Sequence, residues 1–204
     1  MAAEIGGDKA MHPVFTYGTL KCGQPNHHIL MNPNNGRATL IGTARTLKKW
    51  PLVLVSSYEI PCLLPREGMG HRFIQEVSGE MYLVDDQMLE SLDGLESHPD
   101  VYVRTQQDVA LLSSRLNSSV PDAEAKLHSG GLSSTEGGEI RKAWIYFARK
   151  VEDEHLSLPF VSRYNCKQDI EYPTSTADKQ ESLRFLNKHF KHTAVDESHY
   201  RAKA

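Results

Sequence analysis

A succession of short β-branched and aromatic runs, each stopped by glycine, proline or an acidic pair, constrains the fold of this chain more than any other feature. Val14-Phe15-Thr16-Tyr17 halts at Gly18, and residues 37–46, 51–55, 79–84, 101–112 and 143–148 repeat the pattern. Such runs read as strands, because β-branched and aromatic side chains suit a half-buried pleated surface and Gly or Pro punctuates it. Helical patterning is confined to two stretches. Asp85 or Asp86 can cap a helix running to about Glu96, and Ser175 or Thr176 one from Ala177 to Phe190, with Leu183, Leu186 and Phe190 at i, i+3 and i+7. Many short strands with few helices predict a compact, barrel-like α+β domain.

Composition fixes the class. The chain has 204 residues, 39% hydrophobic and 24% charged, which suits one soluble globular domain that needs no disulfide or metal staple. The formal net charge of −3 leaves no basic surplus for a phosphate backbone, so nucleic acid is not an expected partner. No stretch reaches the roughly 18 apolar residues that a membrane helix needs, and the start, Met-Ala-Ala-Glu, lacks the pattern of a signal peptide. Cys22, Cys62 and Cys166 form an odd set without paired spacing, as expected in a reducing compartment. The expectation is a cytoplasmic protein, monomeric, without membrane attachment.

Residues 1–12 read as a tail, 13–192 as a single domain and 193–204 as a second tail. Residues 113–139 hold seven serines and four glycines against only three leucines and a valine, so they are read as a flexible insertion between two paired strands.

The helix after Asp85 carries the most informative side chain. Taking Met88 as zero and about 100° per residue, Leu92 falls at about 40°, Leu89 at about 100°, Leu95 at about −20° and Glu96 at about 80°. Glu96 therefore lies within the apolar face, while Glu90 and Asp93 point elsewhere. A carboxylate aimed inward must be paired, protonated or functional, and the negative end of the helix dipole adds to the desolvation that raises its pKa. The competing reading is that the helix frays at Gly94 and Glu96 turns to water. The turn Tyr17-Gly18-Thr19-Leu20 likewise has two readings: a cradle of backbone N–H groups for an anion, or ordinary turn chemistry.

Other constellations carry less. No histidine joins Asp93 and Glu96 on the helix, and His189 and His192 sit among lysines, where they compensate a helix dipole more naturally than they bind zinc. His27 and His28 are adjacent and diverge, and Cys62, between Pro61 and Leu63, reads as core.

Val14-Phe15-Thr16-Tyr17-Gly18-Thr19-Leu20-Lys21, with Gly23-Gln24-Pro25-Asn26-His27 behind it, resembles the γ-glutamylcyclotransferase-like family, in particular its γ-glutamylamine cyclotransferase branch and plant avirulence-induced-gene relatives. Trp50-Pro51-Leu52-Val53, Ile60-Pro61, Gly79-Glu80-Met81-Tyr82, Leu92-Asp93-Gly94-Leu95-Glu96-Ser97 and Tyr102-Val103-Arg104-Thr105 extend the resemblance in order. It implies an α+β fold, a small mixed β-barrel with flanking helices. It also implies that Tyr17, Gly18, Thr19 and Leu20 bind a γ-glutamyl group and that Glu96 is the catalytic acid/base. The substrate's own α-amine would close a ring on the γ-carbonyl, releasing 5-oxoproline and an amine or amino acid, with no metal or organic cofactor. γ-Glutamylamines are the substrates the resemblance favours. The alternatives are γ-glutamyl amino acids or glutathione, or a non-catalytic module that binds a γ-glutamyl metabolite. Cys22 stands where the animal enzymes are expected to carry a basic residue.

Overall fold

The computed structural model describes residues 10–56, 58–67, 75–113, 138–151 and 153–166. The order of elements is β1 (Met11–Thr16), α1 (His27–Met31), a short 3₁₀ turn (Pro33–Asn35), β2 (Ala38–Lys49), β3 (Leu52–Val55), β4 (Ile60–Leu63), β5 (Glu76–Asp85), α2 (Asp86–Leu95), β6 (Tyr102–Leu111), β7 (Glu139–Ala148) and α3 (Asp153–Leu156). β1, β5, β2, β6 and β7 close into a barrel in that order, and β3 and β4 form a separate hairpin. This is the expected small mixed barrel with flanking helices: its neighbours are antiparallel except for the closing join, where β1 meets β7 in parallel at Val14 and Trp144. Closure removes the unpaired strand edges that an open five-stranded sheet would expose.

The period-2 alternation of the strands sorts their side chains into two cores. Phe15, Ile41, Met81, Val109, Leu111, Ala143, Ile145 and Phe147, drawn from all five barrel strands, pack into one cluster that fills the barrel. Their neighbours Val14, Tyr82, Val84, Tyr102 and Tyr146 face the other way and pack against Met88, Leu89 and Leu92 of α2 and Val53, Val55 and Cys62 of the hairpin. Helix and hairpin thus form an outer layer over one side of the barrel.

The predicted strands are all present, several longer than their apolar runs. β1 begins at Met11, within the stretch read as a tail, because its ladder with β5 continues to Asp85 and the His12 imidazole bonds the Asp86 carboxylate at 2.6 Å. β2 continues to Lys49 and β7 starts at Glu139, where backbone pairing persists after the apolar alternation has ended. Leu111 pairs with Glu139, so paired strands flank the serine-rich stretch as expected. Residues 114–137 and the helix expected over 177–190, with His189 and His192, lie outside the described residues.

α2 starts where its cap predicts. The Asp85 carboxylate accepts from the Met88 N–H and from the Arg37 N–H, each at 3.0 Å. Gly36 makes this possible: its φ is +115°, and a Cβ there would fall 2.4 Å from the Met88 nitrogen. Among the described residues, no helix is long and apolar enough to cross a membrane.

Candidate active site

The site lies at the parallel seam. β1 and β7 share only the Val14–Trp144 register. Beyond it β1 turns away as residues 17–20 while β7 runs on through Tyr146, and the Tyr17 hydroxyl bridges the gap by donating to the Tyr146 carbonyl at 2.8 Å.

The 17–20 turn is fastened through its carbonyls. The Lys21 N–H donates to Gly18 O at 3.2 Å, the Asn26 N–H to Thr19 O at 2.9 Å, and His27 Nδ1–H to Leu20 O at 3.1 Å. Asn26 Nδ2 also donates to Thr19 Oγ1 at 3.0 Å. By contrast, the N–H groups of Gly18, Thr19 and Leu20 donate to no acceptor among the described residues. Three consecutive donors left over in a turn of which only Thr19 is partly exposed are suited to a carboxylate or oxyanion. Gly18 lets this turn lie against the hairpin, since a Cβ there would fall 2.6 Å from Pro61 Cγ.

Glu96 lies near the Tyr17 end of this turn, close enough for its charge to act on the Tyr17 hydroxyl. It follows α2 directly and is held at both backbone ends: its N–H donates to Leu92 O at 2.9 Å, and its carbonyl accepts from the Tyr102 N–H at 3.3 Å. The residue is half-buried. Its side chain accepts no hydrogen bond from the described residues, and desolvation lifts its carboxyl from the ordinary 4.5 to about 7. The helix therefore does not fray to release Glu96 to water, and the inward angle read from its spacing is the one observed.

The neighbours of that carboxyl are weak acids. Burial raises the Tyr17 and Tyr102 hydroxyls well above their ordinary value, and the charge of Glu96 adds to this. Burial likewise pushes the Cys62 thiol up to about 12; its sulfur lies 2.9 Å from the Tyr102 hydroxyl. The Tyr146 hydroxyl is also raised, first by burial and then by donating to Asp93. All four groups stay neutral at physiological pH, so Glu96 is the member of the set whose protonation changes nearest neutrality.

Asp93, assigned by its helical angle to a face pointing elsewhere, is instead a fixed part of this neighbourhood. It accepts from Tyr146 Oη at 2.7 Å and from Arg104 Nε and Nη2 at 2.7 and 3.1 Å. Desolvation alone would raise its pKa, but the hydrogen bonds from Arg104 and Tyr146 and the charges of Arg104 and His98 outweigh it, and the net shift is downward. Arg104 and Tyr146 are direct cross-strand partners on β6 and β7, and the guanidinium stacks over Trp144 at 4.6 Å. The correction has a simple cause: barrel strands β6 and β7 pass beside the last turn of α2, so a side chain off the apolar face still meets protein.

Cys62, read as core, is fully buried, and Tyr102, Tyr146 and Arg104 carry no site role in the sequence reading. Their one local signal is parity: Tyr102 and Arg104 on β6, and Trp144 and Tyr146 on β7, alternate onto the same face. Among the described residues, no three or more His, Cys, Asp or Glu side chains gather as metal ligands.

Comparison with known proteins follows this geometry. The profile of the family described as gamma-glutamyl cyclotransferase, AIG2-like, matches residues 14–165. Gamma-glutamylaminecyclotransferase C of Danio rerio is 38% identical over 158 residues, spanning 78% of this chain and 89% of that protein. The gamma-glutamylaminecyclotransferase of Rattus norvegicus is 44% identical over 155 residues, spanning 76% of this chain and 90% of that protein. The crystal structure of an AIG2-like protein from Mus musculus superposes with a TM-score of 0.63 at 32% identity, covering 81% of this chain and 97% of that one.

Proposed function

The chain belongs to the gamma-glutamyl cyclotransferase, AIG2-like family and is a cyclotransferase, and from that premise we propose that it cyclises γ-glutamylamines with Glu96 as acid/base and residues 17–20 as the γ-glutamyl cradle. The substrate class is the one named in the relatives from Danio rerio and Rattus norvegicus. The carrying observation is the pairing of an unengaged, desolvated Glu96 carboxyl with the three undonated N–H groups of Gly18, Thr19 and Leu20.

The substrate α-carboxylate docks on those N–H groups, which leaves the adjacent α-ammonium near Glu96. Glu96, its pKa raised to about 7, accepts a proton from the ammonium. The freed nitrogen attacks the γ-carbonyl, forming a five-membered ring. As the tetrahedral intermediate collapses, the γ-carbon to nitrogen bond of the amide breaks, Glu96 returns its proton to the departing nitrogen, and the second proton shed by the ring nitrogen passes to the released amine, which leaves as an ammonium. The products are 5-oxoproline and a free amine, and atoms and charge balance. Because the nucleophile belongs to the substrate, the protein's main task is to hold a near-attack conformer, an arrangement worth about 7–11 kcal/mol in well-oriented cases. This explains a site without a serine or cysteine nucleophile. The absence of a disulfide among the described cysteines supports a reducing, cytoplasmic setting.

The test is 5-oxoproline release from γ-glutamyl-ε-lysine, γ-glutamyl-alanine and glutathione, with wild type and Glu96→Gln. Wild type is expected to turn over γ-glutamyl-ε-lysine fastest, and the variant to lose turnover while remaining folded. A Glu96→Gln protein as fast as wild type would overturn the mechanism. Faster turnover of glutathione would overturn the substrate class.

A further inference from the structure

Directly behind the cradle sits a charged side chain that the reaction above does not use. Lys21 follows Leu20 in the chain, is only 6% exposed, and donates from Nζ to the Tyr164 carbonyl at 2.6 Å. Lysine is seldom this buried unless its charge is engaged. The Lys21 neighbourhood also holds Glu80 of β5, whose Oε2 accepts from the Cys22 N–H at 2.8 Å and from Tyr82 Oη at 2.9 Å.

Tyr164 belongs to a strap, residues 161–166, laid over the barrel and the hairpin. The Val161 N–H donates to Leu52 O at 2.9 Å, and Ser162 O accepts from the Ser78 N–H at 2.8 Å. The strap's other ties go to the segment after the cradle: Lys21 to Tyr164, Gln24 Nε2 to Asn165 Oδ1 at 3.1 Å, and the Cys166 N–H to Gln24 Oε1 at 2.8 Å. The cradle is thus joined to a segment more than a hundred residues later in the chain, and the first of those joints is an ammonium.

We propose that Lys21 is a positioning residue for substrate binding: its ammonium latches the 17–20 turn to the 161–166 strap and so holds the N–H groups of Gly18, Thr19 and Leu20 convergent on the substrate carboxylate. The inference rests on the cradle assignment made under Proposed function. Loss of the Lys21 proton weakens the latch by removing its charge. The groups that face the ammonium are Glu80 from β5 and Arg163 and Tyr164 from the strap. Burial, first, and then the Arg163 charge lower the lysine pKa to about 8, with Glu80 working in the opposite direction. The latch therefore weakens as pH rises through about 8.

The experiment compares wild type, Lys21→Met, Lys21→Arg and Gln24→Ala on γ-glutamyl-ε-lysine between pH 6.5 and 9.5. A cradle that binds ground and transition states alike predicts a KM about tenfold higher in Lys21→Met at pH 7, with kcat within about threefold of wild type. Substrate ionisation is common to both proteins and cancels in the ratio of their KM values. That ratio falls toward one above pH 8, whereas the ratio of Lys21→Arg to wild type does not. Gln24→Ala, which alters an exposed tie and spares the buried lysine, raises KM about threefold and keeps the latch testable if Lys21→Met does not fold. Amide hydrogen exchange at Cys22 and Asn26 reads the latch without turnover, and both amides exchange at least about tenfold faster in Lys21→Met at pH 7. An unchanged KM, a pH-independent Lys21→Met ratio or unchanged exchange overturns the proposal. Absence of 5-oxoproline from wild type, with faster exchange in the variant, overturns the enzymatic reading and leaves the latch standing.

Discussion

Replacing Glu96 by glutamine should stabilise the protein while removing its activity, by an amount that depends on pH. Desolvation holds the folded carboxyl at about 7 against an ordinary 4.5. Folding therefore opposes ionisation: the contribution of this group to stability is fully present below about pH 4.5 and is lost as pH rises through 7. At pH 8 the loss approaches its limit, at most about 3 kcal/mol, and partial solvent access to the side chain reduces it. Glutamine keeps the shape and has no proton to lose. Glu96→Gln should thus match wild type near pH 4.5 and exceed it by about 1–3 kcal/mol at pH 8, which for a chain this long raises Tm by roughly 2–10 °C. Urea unfolding at pH 4.5, 6, 7 and 8, with the slope unchanged between the two proteins, measures the difference directly. Equal stability at every pH would mean that the carboxyl is hydrated in the native state. The argument that burial poises Glu96 for proton transfer would then fail, whatever the kinetics showed.

Further outcomes follow from the same geometry. In wild type, kcat/KM for γ-glutamyl-ε-lysine should decline below about pH 7 as Glu96 becomes protonated; an acid limb centred near 4.5 would contradict the raised value. Asp93→Asn, which weakens the two-pronged Arg104 pair, should lower kcat/KM by about 100-fold through displacement of the α2 terminus; steady-state kinetics within threefold of wild type would show that the pair is only structural. Gly18→Ala should cost about 1–3 kcal/mol in urea unfolding, because its methyl group meets Pro61, and should raise KM; an unchanged midpoint would refute the close approach. With iodoacetamide at pH 8, exposed Cys22 should be alkylated in the native protein, and Cys62, fully buried with its thiol pushed up to about 12, only after denaturation. Native labelling of Cys62 would mean that the β3–β4 hairpin lifts off the barrel.

What could be read from the sequence was local in origin. The Asp85 cap follows from its residue type and the apolar stripe of Met88, Leu89 and Leu92 from a periodicity of 3.6 residues, and the structure reproduces both; the same periodicity drew attention to Glu96, whose carboxyl is desolvated. Gly18 marked the turn because only a residue without Cβ tolerates so close a neighbour, although the identity of that neighbour, Pro61, could not be inferred. The remaining wall of the site depends on long-range register. Tyr146 reaches Asp93 because β7 pairs with β6 in one particular alignment, and Cys62 meets Tyr102 because the hairpin folds across the seam. Neither alignment leaves a mark on the residues beside it. Asp93 shows the limit of the helical wheel, which gives direction about an axis but not which other elements stand in that direction. Strand ends were misjudged for a related reason: a ladder is held by backbone groups, so Lys49 and Glu139 remain paired after their side chains have become polar.

The seam between β1 and β7 joins the earliest strand of the barrel to the last. During synthesis, the 17–20 turn and Glu96 leave the ribosome long before the strand that brings them together. If residues 17–20 and Glu96 form the proposed site, a nascent chain that stops short of Trp144 holds both parts of it without β7 beside them. Ligand affinity would then be acquired only once β7 has been made. A small molecule bound at this place would report that β7 has docked, and would protect the barrel from unzipping along the join between its first and last strands.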